Sequence, residues 1–465
     1  MKREISGIRG TFMAKIRDYT VGSIPSHMVQ LAAPLIVGNV LQQLYNTIDA
    51  LILGRFAGSA EFAAVGVAGS VMNLFIFMIT GACTGISVLF SQFYGAKDLN
   101  AFRREHALAL RLGVVVSLLF GLFGFAVLPL LLRFIQTPAE LIAPVSAYMR
   151  IILAFLAATF LYNLYSALLR SIGQAHIALA ALGIAVSINL GLDIWFVAKL
   201  GLGIAGAAWA TAVSQGISAV LCILYLRRAA PELLFRKADC GFDRALFRRT
   251  VRLSAVTGLH NSSLYIGKLL VQGAVNTGGT ELISAYTATT RIEGFANSFG
   301  DSFSAATSVL VGQNLGAKKP ERVRTSFFAS LAMVIFMGVS CSLILFVSAR
   351  AAVGFMLGET GTPAYENAVS YIRLVAIFYT LCFTGNTFAG YFDGIGKVSI
   401  PFIGATTHIT LRVILSWLLV KKMGLPAVAL ATGLGWILVN TMWALIKYRM
   451  EKRTACTQPV NGSDI

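Results

Sequence analysis

Charge is scarce in this chain. Only 12% of its residues are charged and 20 are acidic, whereas 57% are hydrophobic. Soluble domains carry roughly 25% charged residues, so a large soluble enzyme is excluded. Long polar stretches are also lacking. The longest, about 227–249, is a short basic loop, which leaves no room for a soluble receptor or scaffold domain. The six cysteines have no metal-type spacing and read as small apolar residues, most of them in apolar runs or on a side where thiols stay reduced. None of the five histidines forms a metal pair, and His260, in "GLHNSSLYIG", lies deep in an apolar run. No Ser/His/Asp set appears, so hydrolytic chemistry has no support and the chain does not read as an enzyme.

What the sequence has is length of apolar run. Twelve runs recur, at 27–53, 60–92, 106–132, 142–169, 176–198, 203–226, 250–275, 282–314, 325–349, 365–392, 398–420 and 425–447. Each is long enough to cross about 30 Å of hydrocarbon. They lack strict alternation and have few breakers, which argues for helices over a barrel. The expectation is an all-α polytopic membrane protein with no cleavable signal peptide. With the N-terminus inside, 26 of the 38 Lys and Arg fall in cytoplasmic segments and 6 in outer ones. This bias places both termini in the cytoplasm. The net charge of +18 therefore orients the chain against an anionic bilayer. It does not mark a nucleic-acid partner, since no single basic and aromatic face exists.

The runs form two copies. In "SQFYGAKDLNAFRR" (91–104) and "GQNLGAKKPERVR" (312–324), Gln92, Gly95, Ala96 and Lys97 recur as Gln313, Gly316, Ala317 and Lys318, all at one offset. "GIAGAAWAT" from Gly203 recurs as "GLPAVALAT" from Gly424 at that same offset, and "SIGQAHIAL" (171–179) as "GIGKVSIPF" (394–402) at a slightly longer one. Six spans per copy make this a parallel repeat, and two pseudo-symmetric six-helix lobes around a cavity are a transporter design. The expected organisation is a cytoplasmic segment 1–26, an N-lobe 27–228, a linker 229–249, a C-lobe 250–448 and a cytoplasmic tail 449–465.

Ionisable groups deep in spans are functional candidates by default. Asp49, Asp193, Glu293 and Asp301 qualify, and Asp393 sits near a helix end. Asn189 lies one helical turn before Asp193, on the same face, and Thr211 in the sixth span offers a hydroxyl. Two carboxylates, an amide and a hydroxyl are hard oxygen donors suited to Na⁺. Two neighbouring carboxyls in low dielectric would equally share a proton. The second copy repeats Thr211 as Thr432 but has no acid at the positions of Asp49 or Asp193. The six-helix fold therefore does not need these carboxylates, which favours a functional role. Glu293 and Asp301 share their span with Arg291, with Lys268 in the span before and Arg412 later. They read either as a neutralised network or as a contact for a cationic substrate. Pro34 offers a hinge in the first span. Tyr45, Met72, Phe75, Met78, Phe155, Tyr162 and Tyr165 are candidates to line a cavity for flat or cationic compounds.

"LAAPLIVGNVLQQLYNTIDALILGRFAG", "NLGLDIWFVAKLGLGIAGAAWATAVSQ", "VGQNLGAKKPERVR" and the Gly-Ile-Gly turn at 394–396 resemble the multidrug and toxic compound extrusion (MATE) transporters, in order and along nearly the whole chain. Within the family the chain looks closest to the prokaryotic DNA-damage-inducible protein F-like branch. The resemblance implies twelve helices in two lobes and a location in a prokaryotic inner membrane. It also implies a cation site in the N-lobe, with positions matching Asp49, Asn189, Asp193 and Thr211. The other branch places acids on helices 7 and 10. Here helix 7 offers His260 and Asn261, helix 10 has no interior acid, and Asp393 stands where the first copy has Arg170.

The expected function is H⁺- or Na⁺-coupled antiport, exporting amphipathic, often cationic, organic compounds by alternating access. The chain is expected to act as a monomer and to need no cofactor beyond the coupling ion. The alternative is a flippase for lipid-linked precursors. That would call for a cationic cavity, whereas the N-lobe offers only acids.

Overall fold

Hydrocarbon offers no partner to a backbone N–H or C=O, so each crossing segment satisfies its own backbone as a helix. The computed structural model describes residues 18–56, 59–134, 137–358 and 360–457. The first copy contains α1 (Ile24–Phe56), α2 (Ser59–Gly95), α3 (Leu99–Phe134), α4 (Ala139–Ala154), α5 (Leu156–Ser171), α6 (Ala175–Asp193) and α7 (Gly203–Ala229). The second contains α8 (Arg244–Asn276), α9 (Thr280–Gly316), α10 (Pro320–Leu357), α11 (Pro363–Ala376), α12 (Tyr379–Gly394), α13 (Ser399–Met423) and α14 (Leu425–Thr457). No strand occurs among the described residues.

These helices make the twelve expected segments, six in each copy, with two refinements. The fourth and tenth apolar runs are each a pair of helices, α4–α5 bent by 50° and α11–α12 by 53°. The bends fall beside Phe155 and Phe378, at equivalent places in the two copies, so the duplication extends to the break itself. Among the described residues, eight single helices, or ten spans if each bent pair counts as one, are long and apolar enough to cross a membrane. The other two are α8 and α9. They are long enough, at 33 and 37 residues, but polar. Arg244, Arg248, Arg249 and Arg252 crowd the start of α8, and α9 carries Arg291, Glu293 and Asp301.

The described chain forms two compact units that cut across the duplication. One runs up to Tyr265 and takes in Ala305–Ala329 and Asp393–Val398; the other holds Ile266–Ser304, Ser330–Phe392 and the chain from Ser399. In the first unit, α6 packs on α7 and α1, while α2 packs on α5, α4 and α3. In lipid such contacts depend on close approach of small residues. Gly81 and Gly85 on α2 show this, because a Cβ at either would meet the α8 backbone at 2.5 and 2.6 Å, at Thr257 and Leu253. In the second unit α14 packs on α13 and α11. α1 runs unbroken through Pro34, the expected hinge.

Before α1, Asp18 accepts hydrogen bonds from the Thr20 amide (2.9 Å) and hydroxyl (2.6 Å). Burial acts to raise the Asp18 carboxyl, but these bonds and the charges of Lys97 and Lys319 hold it below its usual range. The linker between the copies lies against α3. His106 Nδ1 is 3.3 Å from the Leu233 carbonyl, and Arg111 donates to the Cys240 carbonyl at 3.0 Å. Asp239 accepts the Arg236 N–H at 2.8 Å and lies 3.2 Å from Arg103 Nε, close but off the hydrogen-bond axis. That ion pair is largely buried, so cutting Asp239 would remove the counter-charge of Arg103, which keeps its bonds to the Glu232 carbonyl and Asn100. Asp239→Ala should therefore destabilise the protein by about 1–3 kcal/mol. The test is a lower thermal midpoint in detergent micelles; an unchanged midpoint would show that the linker is not held here.

Candidate cation-coupling site

α6 carries Asn189 and Asp193 one turn apart, and both side chains are buried at 2% and 1% exposure. With the Asn189 amide turned to satisfy both neighbours, its nitrogen donates to Asp193 Oδ2 at 2.7 Å and its oxygen accepts the Thr211 N–H at 3.1 Å. The amide thereby ties α6 to α7. Asp49, late in α1, comes within hydrogen-bonding reach of the Asp193 carboxyl. Asp49 Oδ1 and Asp193 Oδ1 are both buried, and no donor among the described residues reaches either. Immediately after Asp193 the helix widens into a π-type turn, Ile194–Lys199, where Leu200 N–H reaches back to the Trp195 carbonyl at 3.0 Å. Such turns free a backbone position and recur at functional sites.

The Thr211 hydroxyl faces a pair of phenols. Tyr45, one turn before Asp49 on α1, lies 3.3 Å from it, and Tyr148 from α4 stands nearby. Thr432, its repeat in the second copy, bonds instead to its own helix at Val428, 2.7 Å away. The four residues expected to form the site are thus together. Tyr45, expected on a cavity wall, belongs to the same cluster. Tyr148 was not among the expected residues; one more tyrosine in an apolar run gives no sequence signal of its own.

The remaining candidates are dispersed. Met72 accepts from Tyr148 at 3.5 Å, which places it behind the site. Phe75 is buried in the core against Phe120, and Tyr165 is buried with its hydroxyl 3.2 Å from His106 Nε2. Neither presents a free face. Met78 accepts from Ser262 at 3.5 Å, Tyr162 is half-buried beside Ser166, and Phe155 stacks edge-on to Trp209 at the α4–α5 bend.

Glu293 and Asp301 lie in the second unit. Both Glu293 oxygens are 3.3 Å from the Tyr371 hydroxyl, and Arg412 donates to the Tyr286 hydroxyl at 3.3 Å. The two tyrosines meet edge to face at 6.1 Å, so phenols stand between the acid and the guanidinium. Asp301 accepts from Asn386 at 3.3 Å and is exposed despite its depth in α9. Among the described residues, no ion pair within 4 Å joins either acid to Arg291, Lys268 or Arg412. Asp393, the departure noted at the Gly-Ile-Gly turn, is buried with Oδ1 unpartnered. No group of three or more His, Cys, Asp or Glu fit to hold a metal occurs among the described residues.

Comparison with known proteins agrees with the duplication. The MatE family profile matches twice, at residues 34–195 and 257–418, once in each copy. The chain is 25% identical to the probable multidrug resistance protein YpnP of Bacillus subtilis, over 78% of this chain and 81% of that one. It is 23% identical to the probable multidrug resistance protein NorM of Thermotoga maritima, over 94% and 96%. Its fold matches an outward-facing MATE transporter of the MOP superfamily with a TM-score of 0.86, at 20% identity, over 96% of this chain and 99% of that one. Twelve helical segments in two copies and a profile matching both halves lead to one conclusion: the chain belongs to the MatE family of membrane transporters.

Proposed function

We propose that the protein is a cation-coupled antiporter that exports amphipathic, often cationic, organic compounds by alternating access, with Asp49, Asn189, Asp193 and Thr211 as its coupling site. The observation that carries this reading is the pair of facing carboxyls, each with one buried oxygen left without a partner. Two carboxylates about 4 Å apart repel by about 4 kcal/mol even at an effective dielectric of 20. A proton or a Na⁺ between them relieves that repulsion. The names of the relatives support a drug-like substrate, and Glu293 and Asp301 supply negative charge suited to a cationic one.

Transport follows from competition between states. Taking up the cation ties Asp49 on α1 to Asp193 on α6, and the π-type turn after Asp193 lets the end of that helix yield. Coupling arises only to the extent that cation and substrate bind the two states with different affinity. The charge distribution favours both termini in the cytoplasm of an inner membrane, so export runs away from the basic face.

Asp193→Asn keeps the shape of the side chain but removes the titratable charge. Drug efflux in everted vesicles should fall at least about tenfold, equivalent to about 1.4 kcal/mol, while expression and thermal midpoint stay near wild type. Asp49→Asn should behave alike, and full transport by either variant would overturn the assignment. The ion is identified by imposing a Na⁺ gradient and then a pH gradient on the same vesicles. Only the coupling gradient should drive efflux, and only in proteins with both aspartates intact. Thr211→Val removes the hydroxyl at constant shape and should weaken the response to that gradient without abolishing it.

A further inference from the structure

Two glutamines, at equivalent places in the two copies, make the same reach into the opposite copy. Gln92 Nε2, at the end of α2, donates to the Gly394 carbonyl at 2.9 Å. Gln313 Nε2, at the end of α9, donates to the Ser171 carbonyl at 2.7 Å. Ser171 and Gly394 open the two copies of one turn, "SIGQ" and "GIGK". Each copy's helix end therefore grips the other copy's turn, and all four residues belong to the first compact unit. The glutamine oxygens are used as well: Gln92 Oε1 accepts from Arg249, and Gln313 Oε1 accepts the Tyr19 N–H at 3.1 Å.

Beneath these bonds the two backbones touch. A Cβ on Gly95 would strike the Gln313 carbonyl, and one on Gly316 would strike the Gln92 carbonyl. Gly312 likewise meets the Ser91 Cβ, 2.9 Å from where its own Cβ would stand. Neither Gly95 nor Gly316 has a positive φ, so the local backbone accepts any residue and only the neighbour demands glycine. Lys97 and Lys318 then turn left-handed at φ 58° and 57°, sending both chains away at the same level. The fully buried Tyr19 seals the place, its hydroxyl donating to the Gly173 carbonyl at 3.3 Å.

Glycine faces alone mark close packing, as at Gly81 and Gly85. This seam adds, in mirrored pairs, amide-to-carbonyl bonds that water can replace at an aqueous edge. We infer that Gln92–Gly394 and Gln313–Ser171 are the paired latches of a gate, closed in this structure and opened once in each transport cycle. The gate lies where the chain enters α1, the cytoplasmic end on the proposed orientation. The inference rests on the reading of the protein as an alternating-access transporter, but not on which ion drives it.

The test uses the full chain with its six native cysteines replaced and Ser91→Cys introduced as a reporter, since Ser91 is 1% exposed and lies in the seam. The rate of maleimide labelling in detergent reads how often the seam opens. Each net hydrogen bond is worth about a factor of five in an equilibrium. Gln92→Ala or Gln313→Ala, each of which removes the latch bond together with the bond to the glutamine oxygen, should therefore raise the rate at least about fivefold, and the pair at least roughly 25-fold. Gly95→Ala and Gly316→Ala provide a second arm, because alanine favours the helix itself and is penalised only at the seam. Both should label faster than the parent and lose efflux while keeping a near-normal thermal midpoint. Unchanged labelling in the double glutamine variant or in the glycine variants overturns the latch. The coupling reading is judged separately. If Asp193→Asn blocks efflux while labelling stays flat, only the latch falls; if Asp193→Asn transports fully while labelling rises, only the coupling site falls.

Discussion

The lipid interior supplies no hydrogen bonds, and every polar group placed there must find a partner within the protein. The helices satisfy the backbone, and side-chain hydroxyls follow the same rule. Thr47, Ser70, Thr84, Ser117 and Thr432 all donate to a carbonyl four residues back on their own helix. Asn189 shows how completely the rule is met, with its nitrogen on Asp193 and its oxygen on the next helix. The rule has exceptions among the described residues, Ser214, Gln215, Tyr379, Asn440 and Asp393 as well as Asp49 and Asp193. Asp49 and Asp193 differ from the rest in that the two carboxyls face each other, and on the proposed reading a small cation sits between them.

The duplication separates what both halves require from what one half adds. Gln92/Gln313, Gly95/Gly316, Lys97/Lys318 and the bends beside Phe155 and Phe378 occur in both copies and shape backbone or seam. The acids do not repeat. Asp49 and Asp193 stand only in the first copy, while the second has Glu293 behind Tyr371 and Asp301 beside Asn386. Even a repeated residue can diverge in use, as Thr211 and Thr432 do: one hydroxyl faces two tyrosines from neighbouring helices and the other serves its own helix.

Much of this is legible in the sequence, because a membrane makes the hydropathy pattern nearly deterministic. The twelve runs correspond to the twelve segments, and the i, i+4 spacing of Asn189 and Asp193 puts them on one face. The bends at Phe155 and Phe378 are not legible, since hydropathy records depth but not direction. The polarity of α8 and α9 arises from arginines at one end and from acids whose partners, Tyr371 for Glu293 and Asn386 for Asp301, are not marked by hydropathy. Tyr148 and Phe75 illustrate the same limit. Both are aromatics in apolar runs, yet one stands beside Thr211 and the other fills the core. An internal repeat likewise shows that two segments are alike without showing that they meet. It is the fold that brings the end of α2 onto the end of α9.

The two kinds of polar interaction suit two different tasks. A coupling site must change its free energy strongly when one small cation arrives, which requires charge in a low dielectric. A seam that opens and closes must have states of similar free energy, otherwise the molecule stays in one of them. Neutral bonds from Gln92 and Gln313 to backbone carbonyls meet that need, because water replaces them at modest cost. Buried ion pairs in their place would make the closed state a trap, since separating uncompensated charges costs several kcal/mol. On the proposed reading, carboxyls at Asp49 and Asp193 and neutral amides at the repeated helix ends divide the labour within one duplicated chain.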